Sequence, residues 1–97
     1  MLTEKAVVAA PVGLHARSAA VFVRAVTDTG LPVTISKADA GKVDARSLLQ
    51  VMTADFPHGC EVELSVSGNV LQDALAHQTA LDALRGLREL LESPGAP

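Results

Sequence analysis

The sequence predicts an α+β domain in which a four-stranded antiparallel sheet carries helices on one face, in the order βαββαβα. Segments that alternate apolar and polar side chains, as strands do, are interspersed with segments whose apolar residues recur at helical spacing. These segments do not alternate strictly and their connections are short, which argues against a parallel doubly wound sheet. In residues 61–67 every second side chain is apolar, so we expect one buried face and one face open to water.

The first half of the chain is expected to form a strand, a helix and a second strand. Residues 4–10 are predicted as the first strand, residues 16–26 as the first helix and Val33–Lys37 as the second strand. Phe22 is expected to flank the apolar stripe of the helix, and Gly30 to cap its end. The stripe itself consists of small and β-branched residues: Ala16, Ala19, Ala20, Val23 and Val26.

The next segment is expected to return to the sheet and then form a short helix. A turn at residues 39–41 leads into a predicted strand over residues 42–45. Ser47 stands before an apolar run and is therefore expected to be the N-cap of the helix. Residues 61–67 follow as the fourth strand, with Ser65 among the side chains expected on the face open to water.

The last helix is predicted from apolar residues that recur at helical spacing. His77 lies on this stripe and is interpreted as a histidine at the edge of the core rather than as a ligand. Gly86 either ends the helix or lies within it. We expect one domain over residues 1–92 and a disordered polar tail over residues 93–97. The stripe consists of Ala74, His77, Leu81, Leu84 and Leu91.

The composition excludes several classes of protein. Ninety-seven residues with 48% hydrophobic content suffice for the core of one domain, and the net charge of −3 argues against a general nucleic-acid binder. The sequence offers no apolar run long enough for membrane insertion and no recognisable signal peptide. Cys60 is the single cysteine, which favours a cytoplasmic location. The histidines and Cys60 lack the spacing of a zinc site, and we expect neither a metal nor a cofactor.

His15 is the strongest candidate for a functional residue, because it lies where a predicted loop meets a predicted helix. Gly13 allows a tight turn there. The first N–H groups of a helix have no intrahelical partner and its dipole adds positive charge, so this end is suited to an anion. Arg17 adds a fixed charge, and a histidine in this place should stay neutral and nucleophilic. The pattern favours a phospho-accepting histidine; the alternative is a surface histidine beside a solvated arginine.

Three stretches of the chain together resemble one protein family. They are residues 13–17 (GLHAR), 41–52 (GKVDARSLLQVM) and 58–68 (HGCEVELSVSG). They are similar to the active-site signature, the serine region and the last strand of HPr, the histidine-containing phosphocarrier of the phosphoenolpyruvate-dependent sugar phosphotransferase system. Their order and spacing match the family over almost the whole chain. The resemblance implies an open-faced β-sandwich, the same fold that the pattern predicts.

The resemblance also implies a function for His15. It would accept a phosphoryl group from enzyme I, which phosphoenolpyruvate charges, and pass it to enzyme IIA domains of sugar permeases. Such a carrier is covalently modified but is not an enzyme that turns over substrate alone. Ala16, Arg17 and Ser18 would stabilise the phosphate, with Arg17 as the principal charge. Ser18 departs from the family, which usually has proline there; serine restores an N–H and adds a hydroxyl.

Two further roles follow from the resemblance. Ser47 matches a serine that a bifunctional kinase/phosphorylase modifies in many family members, although an N-cap alone explains a serine there. Leu48, Leu49 and Met52 lie in a region that the family uses to dock its partners; the alternative for each is plain core packing.

Two other functions remain open from the sequence. The chain could be a regulatory phosphorelay relative of the same fold, or a protein-binding module that never carries phosphate. Intact His15 and Arg17 favour the carrier and the relay over the module. A monomer is expected.

Overall fold

The computed structural model describes residues 2–9, 13–14, 16–37, 41–67 and 74–93. Within them the predicted order βαββαβα is confirmed. The elements are β1 (Leu2–Val7), α1 (Ala16–Thr29), β2 (Val33–Lys37), β3 (Val43–Asp44), α2 (Leu48–Ala54), β4 (Glu61–Val66) and α3 (Ala74–Leu91). The turn predicted at residues 39–41 and the disordered tail predicted over residues 93–97 lie mostly outside the described residues, which include only residue 41 of the turn and residue 93 of the tail.

The sheet is antiparallel throughout and has the strand order β1-β4-β2-β3. In the central strand, Leu64 pairs with Glu4 of β1 and Ile35 of β2. Apolar side chains on the face of the sheet that the helices cover pack against apolar side chains of the helices. Together they form one core, as expected for a sheet covered on one side. The core comprises Ala6, Val8, Leu14, Ala19, Phe22, Val26, Val33, Ile35, Ala45, Val51, Phe56, Val62, Leu64, Val66, Leu84, Leu87 and Leu91.

The buried face of α1 differs from the predicted stripe. Phe22 is 1% exposed and lies at the centre of this face, whereas Ala16 and Ala20 are exposed. The large ring gains most from burial, so the helix is turned towards Phe22 rather than towards the smaller alanines. The helix also runs to Thr29, and Gly30 follows with φ +73°, which confirms the predicted cap.

Helix α3 shows where periodicity misleads. Gly86 lies within the helix, which resolves the open alternative. His77 is exposed, so its interpretation as a histidine at the edge of the core was wrong. It does lie on the same stripe as the buried residues, but burial begins one turn later, at Ala80.

Ser65 is a second departure from the sequence pattern. It was expected to face water, yet it is only 2% exposed, and its Oγ has no hydrogen-bond partner in the described part of the chain. It lies in the central strand between Thr3 of β1 and Thr34 of β2. Glu63 has strands on both sides as well and is only half-buried, so the flanking strands alone do not account for the burial of Ser65.

Strand β1 begins and ends earlier than predicted. After its last ladder pair, the N–H of Val8 still donates to the carbonyl of Cys60 at 3.0 Å. The N–H of Ala9 then donates to the carbonyl of Leu91 in α3 at 2.9 Å. Val8 and Ala9 are thus held between the sheet and α3.

Candidate functional site

His15 lies outside the described residues, but the backbone on both sides of it is described. Gly13 has φ +74°, and a Cβ at this position would lie 2.6 Å from the carbonyl oxygen of Phe56 and 2.8 Å from Cα of Pro57. The N–H of Leu14 donates to the same carbonyl of Phe56 at 2.9 Å, and the Leu14 side chain is buried. The segment that follows α2 therefore supports the loop that leads into His15.

Helix α1 begins at Ala16, directly after His15. Its first turn has no acidic residue, so nothing in that turn offsets the positive end of the helix dipole. Ala16 and Arg17 are both exposed. This end of the helix combines N–H groups that need partners with a guanidinium in the same turn, which suits it to a phosphate dianion.

Ser18 connects the first turn of α1 to the loop before His15. Its Oγ donates a hydrogen bond to the carbonyl of Gly13 at 2.9 Å. The hydroxyl of Ser18 is thus used on the backbone of the loop. This hydrogen bond joins residues on the two sides of His15 and restrains the loop relative to the first turn of α1.

Ser47 is the N-cap of α2, as predicted. It has extended backbone angles of φ −107° and ψ 109°, and its Oγ accepts from the N–H of Gln50 at 3.2 Å. The preceding turn is closed by Asp44, whose Oδ1 accepts from the N–H of Arg46 at 2.9 Å and lies 3.1 Å from its Nε. The backbone N–H and then the guanidinium of Arg46 hold the pKa of Asp44 below its ordinary value.

One face of α2 is apolar and exposed. Leu48, Leu49 and Met52 are 39%, 77% and 41% exposed, and we call these three residues the α2 patch. Val51 is fully buried and supplies the contact of this helix with the core. The alternative in which the three patch residues pack in the core is therefore wrong.

A lysine that the sequence pattern did not single out lies at the other end of α2. Lys37, the last residue of β2, donates from Nζ to the carbonyl of Asp55, and its Nζ lies 5.6 Å from the centroid of the Phe56 ring. Asp55 is the C-cap of α2 and has φ 60° and ψ 100°. The signal available in the sequence was the lack of a basic residue in the last turn of α2.

The described residues offer no group of three or more histidine, cysteine or acidic side chains that could hold a metal ion. Over the same ranges, no helix is long and apolar enough to cross a membrane.

The comparison with known families decides the relationship of the chain. Residues 2–92 match the family model described as "PTS HPr component phosphorylation site". The chain belongs to the HPr family of phosphocarriers. HPr proteins are components of the phosphotransferase system, which agrees with the resemblance seen in the sequence.

Individual HPr proteins support this assignment. The phosphocarrier protein HPr of Streptomyces coelicolor is 46% identical over 81 residues, which cover 84% of this chain and 86% of that protein. The crystal structure of HPr from Bacillus anthracis has the same fold, with a TM-score of 0.74 and 24% identity over 93% of this chain and 95% of that one. An HPr dimer from Thermoanaerobacter tengcongensis is 30% identical, with a TM-score of 0.50 over 76% and 82% of the two chains.

Proposed function

We propose that this HPr protein accepts one phosphoryl group on His15 from enzyme I and donates it to enzyme IIA domains of sugar permeases. The observation that carries the proposal is the arrangement on either side of His15. Gly13 and Leu14 are held against Phe56 and Pro57, and α1 begins at the next residue after His15. A side chain between a restrained loop and a helix N-terminus suits a reversible phosphoryl carrier.

The chemistry needs a neutral ring nitrogen as the nucleophile. That nitrogen attacks the phosphorus of the donor, a P–N bond forms, and the bond between phosphorus and the donor breaks with the electron pair leaving on the donor. The dianion on the ring is stabilised by the N-terminal end of α1 and by Arg17. Transfer to the next protein repeats these steps with the ring as the leaving group, so the chain is restored unchanged and acts as a carrier rather than as an enzyme.

The α2 patch is the proposed docking surface for both partners. Three exposed apolar side chains on a helix that packs against α1 suit a small, transient interface close to the phosphate. Modification of Ser47 by a serine kinase/phosphorylase would place a charge at the first residue before this patch. We propose that the protein acts in the cytoplasm as a monomer. A measurement of its mass in solution tests this, and the contrary result would be a dimer such as the one known for one relative.

The test is the intact mass of the protein after incubation with purified enzyme I and phosphoenolpyruvate. The wild-type chain should gain one phosphoryl group that is lost in acid and kept in alkali, as a phosphoramidate is. His15→Ala should gain none. His58→Ala and His77→Ala are matched controls, because both side chains are exposed and neither is proposed to react. An acid-labile group that persists in His15→Ala would reject the assignment, and no loading of the wild-type chain would favour a binding module.

A further inference from the structure

We propose that Lys37 is a positioning residue for His15, acting through the segment that joins α2 to β4. The inference rests on the phosphocarrier function proposed above. Lys37 does not belong to the loop or the helix that flank His15, and it is 22 positions away in the sequence. Its effect is carried by three contacts: Lys37 with the carbonyl of Asp55, Lys37 with the ring of Phe56, and the carbonyl of Phe56 with Leu14 and Gly13.

The first contact secures the end of α2. The last carbonyl groups of a helix have no intrahelical donor and carry the negative end of its dipole. The last turn of α2 has no basic residue, and Lys37 supplies the cation from β2 instead, with Nζ donating to the carbonyl of Asp55. Asp55 has φ 60° and ψ 100°, a conformation that costs a residue with a Cβ and persists only where its surroundings hold it.

The second contact passes this restraint to the core. Phe56 follows Asp55 directly and is 1% exposed, with the ammonium group of Lys37 5.6 Å from its ring centroid. A cation over an aromatic ring at this distance is attractive, and more so where the ring is desolvated. Lys37 therefore fixes both the carbonyl of Asp55 and the ring of the next residue, and so the direction in which the chain leaves α2.

The third contact reaches the candidate site. The carbonyl of Phe56 accepts the hydrogen bond from the N–H of Leu14 at 2.9 Å, and Gly13 packs so closely that a Cβ would overlap the same carbonyl. His15 is the next residue in the chain. A change in the path of the backbone at Asp55 and Phe56 must therefore move Leu14 or break its hydrogen bond. Misplacement of a reacting group by about 1 Å is able to cost a factor of about 100 in rate.

The test compares three variants with the wild-type chain. Lys37→Met keeps the aliphatic stem and removes the cation and donor, whereas Lys37→Arg keeps both a cation and a donor. Lys5→Met is the matched control, because Lys5 is an exposed lysine of β1 whose side chain is on the face of the sheet away from the core. The measurements are the exchange rate of the Leu14 amide, the melting temperature, and kcat and KM for phosphorylation by enzyme I.

In Lys37→Met we expect hydrogen exchange at the Leu14 amide to be about tenfold faster than in the wild-type chain. We also expect kcat to fall about tenfold, with KM unchanged. Transfer from phosphoramidate, a small donor with no docking surface, should slow to a similar extent. Lys37→Arg should restore both rates, and Lys5→Met should leave both at the wild-type level. If Lys37→Met does not fold, the comparison of Lys37→Gln with Lys37→Arg serves, with slow transfer expected for glutamine alone.

Wild-type rates and exchange in Lys37→Met would overturn the positioning role and leave the phosphocarrier function intact. A rise in KM alone would also overturn it, because Lys37 would then act on docking. Failure of the wild-type chain to accept phosphate would instead reject the proposed function itself.

Discussion

Replacement of Gly13 by alanine tests whether the loop before His15 is held as tightly as the structure indicates. The added Cβ would lie 2.6 Å from the carbonyl oxygen of Phe56, 2.8 Å from Cα of Pro57 and 3.0 Å from its carbonyl carbon. All three neighbours are backbone atoms, so no flexible side chain is available to move aside. The contact at Phe56 also involves the acceptor of the Leu14 hydrogen bond, so relief of the overlap displaces that bond.

The cost of Gly13→Ala has two parts. A residue with a Cβ at φ +74° costs about 1–2 kcal/mol relative to ordinary backbone conformations. Overlap with backbone in a packed region adds about 1–3 kcal/mol. The free energy of unfolding should therefore fall by about 2–5 kcal/mol, a large share of the about 5–15 kcal/mol that holds a typical domain.

Two other glycines separate these parts. Gly30 has φ +73° with nothing within 4 Å of its missing Cβ, so Gly30→Ala bears the conformational cost alone. Gly86 lies within α3, has no positive φ and is equally open, so Gly86→Ala should raise the free energy of unfolding by about 0.5–1 kcal/mol. The loss of freedom in the unfolded chain is common to all three variants and cancels in their differences.

The assay is unfolding in urea, with the midpoint and slope measured for each variant. Gly13→Ala should be less stable than Gly30→Ala by about 1–3 kcal/mol, which is the contribution of the overlap. Equal losses in the two variants would refute the close approach of Gly13 to Phe56 and Pro57, and with it the support inferred for the loop.

Three further outcomes are expected. Phosphorylation of Ser47 should keep or raise the melting temperature, because the phosphate meets the free N–H groups of α2, while transfer from enzyme I slows; melting and transfer rates of kinase-modified protein check this. Ser18→Pro should retain the fold, since residue 18 lies in the first turn of α1, but should change the transfer rate. Ser18→Ala is the control for the lost hydroxyl, and a large fall in the melting temperature of Ser18→Pro would contradict the expectation that the fold is retained. Because the pKa of Asp44 is lowered in the folded state, its ionised carboxylate stabilises the fold above the ordinary pKa of aspartate, and this contribution is lost as the pH falls through the folded pKa. The free energy of unfolding, measured in urea at about pH 5 and about pH 3, should therefore fall less between these two pH values in Asp44→Asn than in the wild-type chain.

Local signals in the sequence were sufficient to predict the order of the elements, the N-cap of α2 and the glycine that caps the end of α1. Ser47 and Gly30 act through their own backbone and the next turn, so their roles are readable from the residues beside them. The same holds for the alternating apolar residues of β4, which form the buried face of the sheet. Each of these features depends on a few residues that are adjacent in the chain.

The errors arose where the answer depends on distant parts of the chain. Periodicity identified the stripe of α3, but it could not show that burial begins at Ala80 and leaves His77 outside. Ser65 pairs with Thr3 and Thr34 of two other strands and is buried, which the alternation of β4 does not indicate. The contact of Lys37 with Asp55 joins residues from β2 and the end of α2. The missing basic residue in the last turn of α2 indicates that a cation is needed there, but no local pattern identifies Lys37 as its source. The contacts of Gly13 and Leu14 with Phe56 and Pro57 also join distant parts of the chain, so only the structure reveals them.

Onward transfer from His15 tests the central claim most directly. The wild-type protein is loaded with enzyme I and phosphoenolpyruvate, separated from both, and mixed with an enzyme IIA domain while the intact masses of the two proteins are followed. The mass of one phosphoryl group should leave this chain as the same mass appears on the IIA domain, and His15→Ala should neither take up nor deliver it. A loaded protein that keeps its phosphate in the presence of an active IIA domain, or a His15→Ala variant that delivers it, would contradict the account.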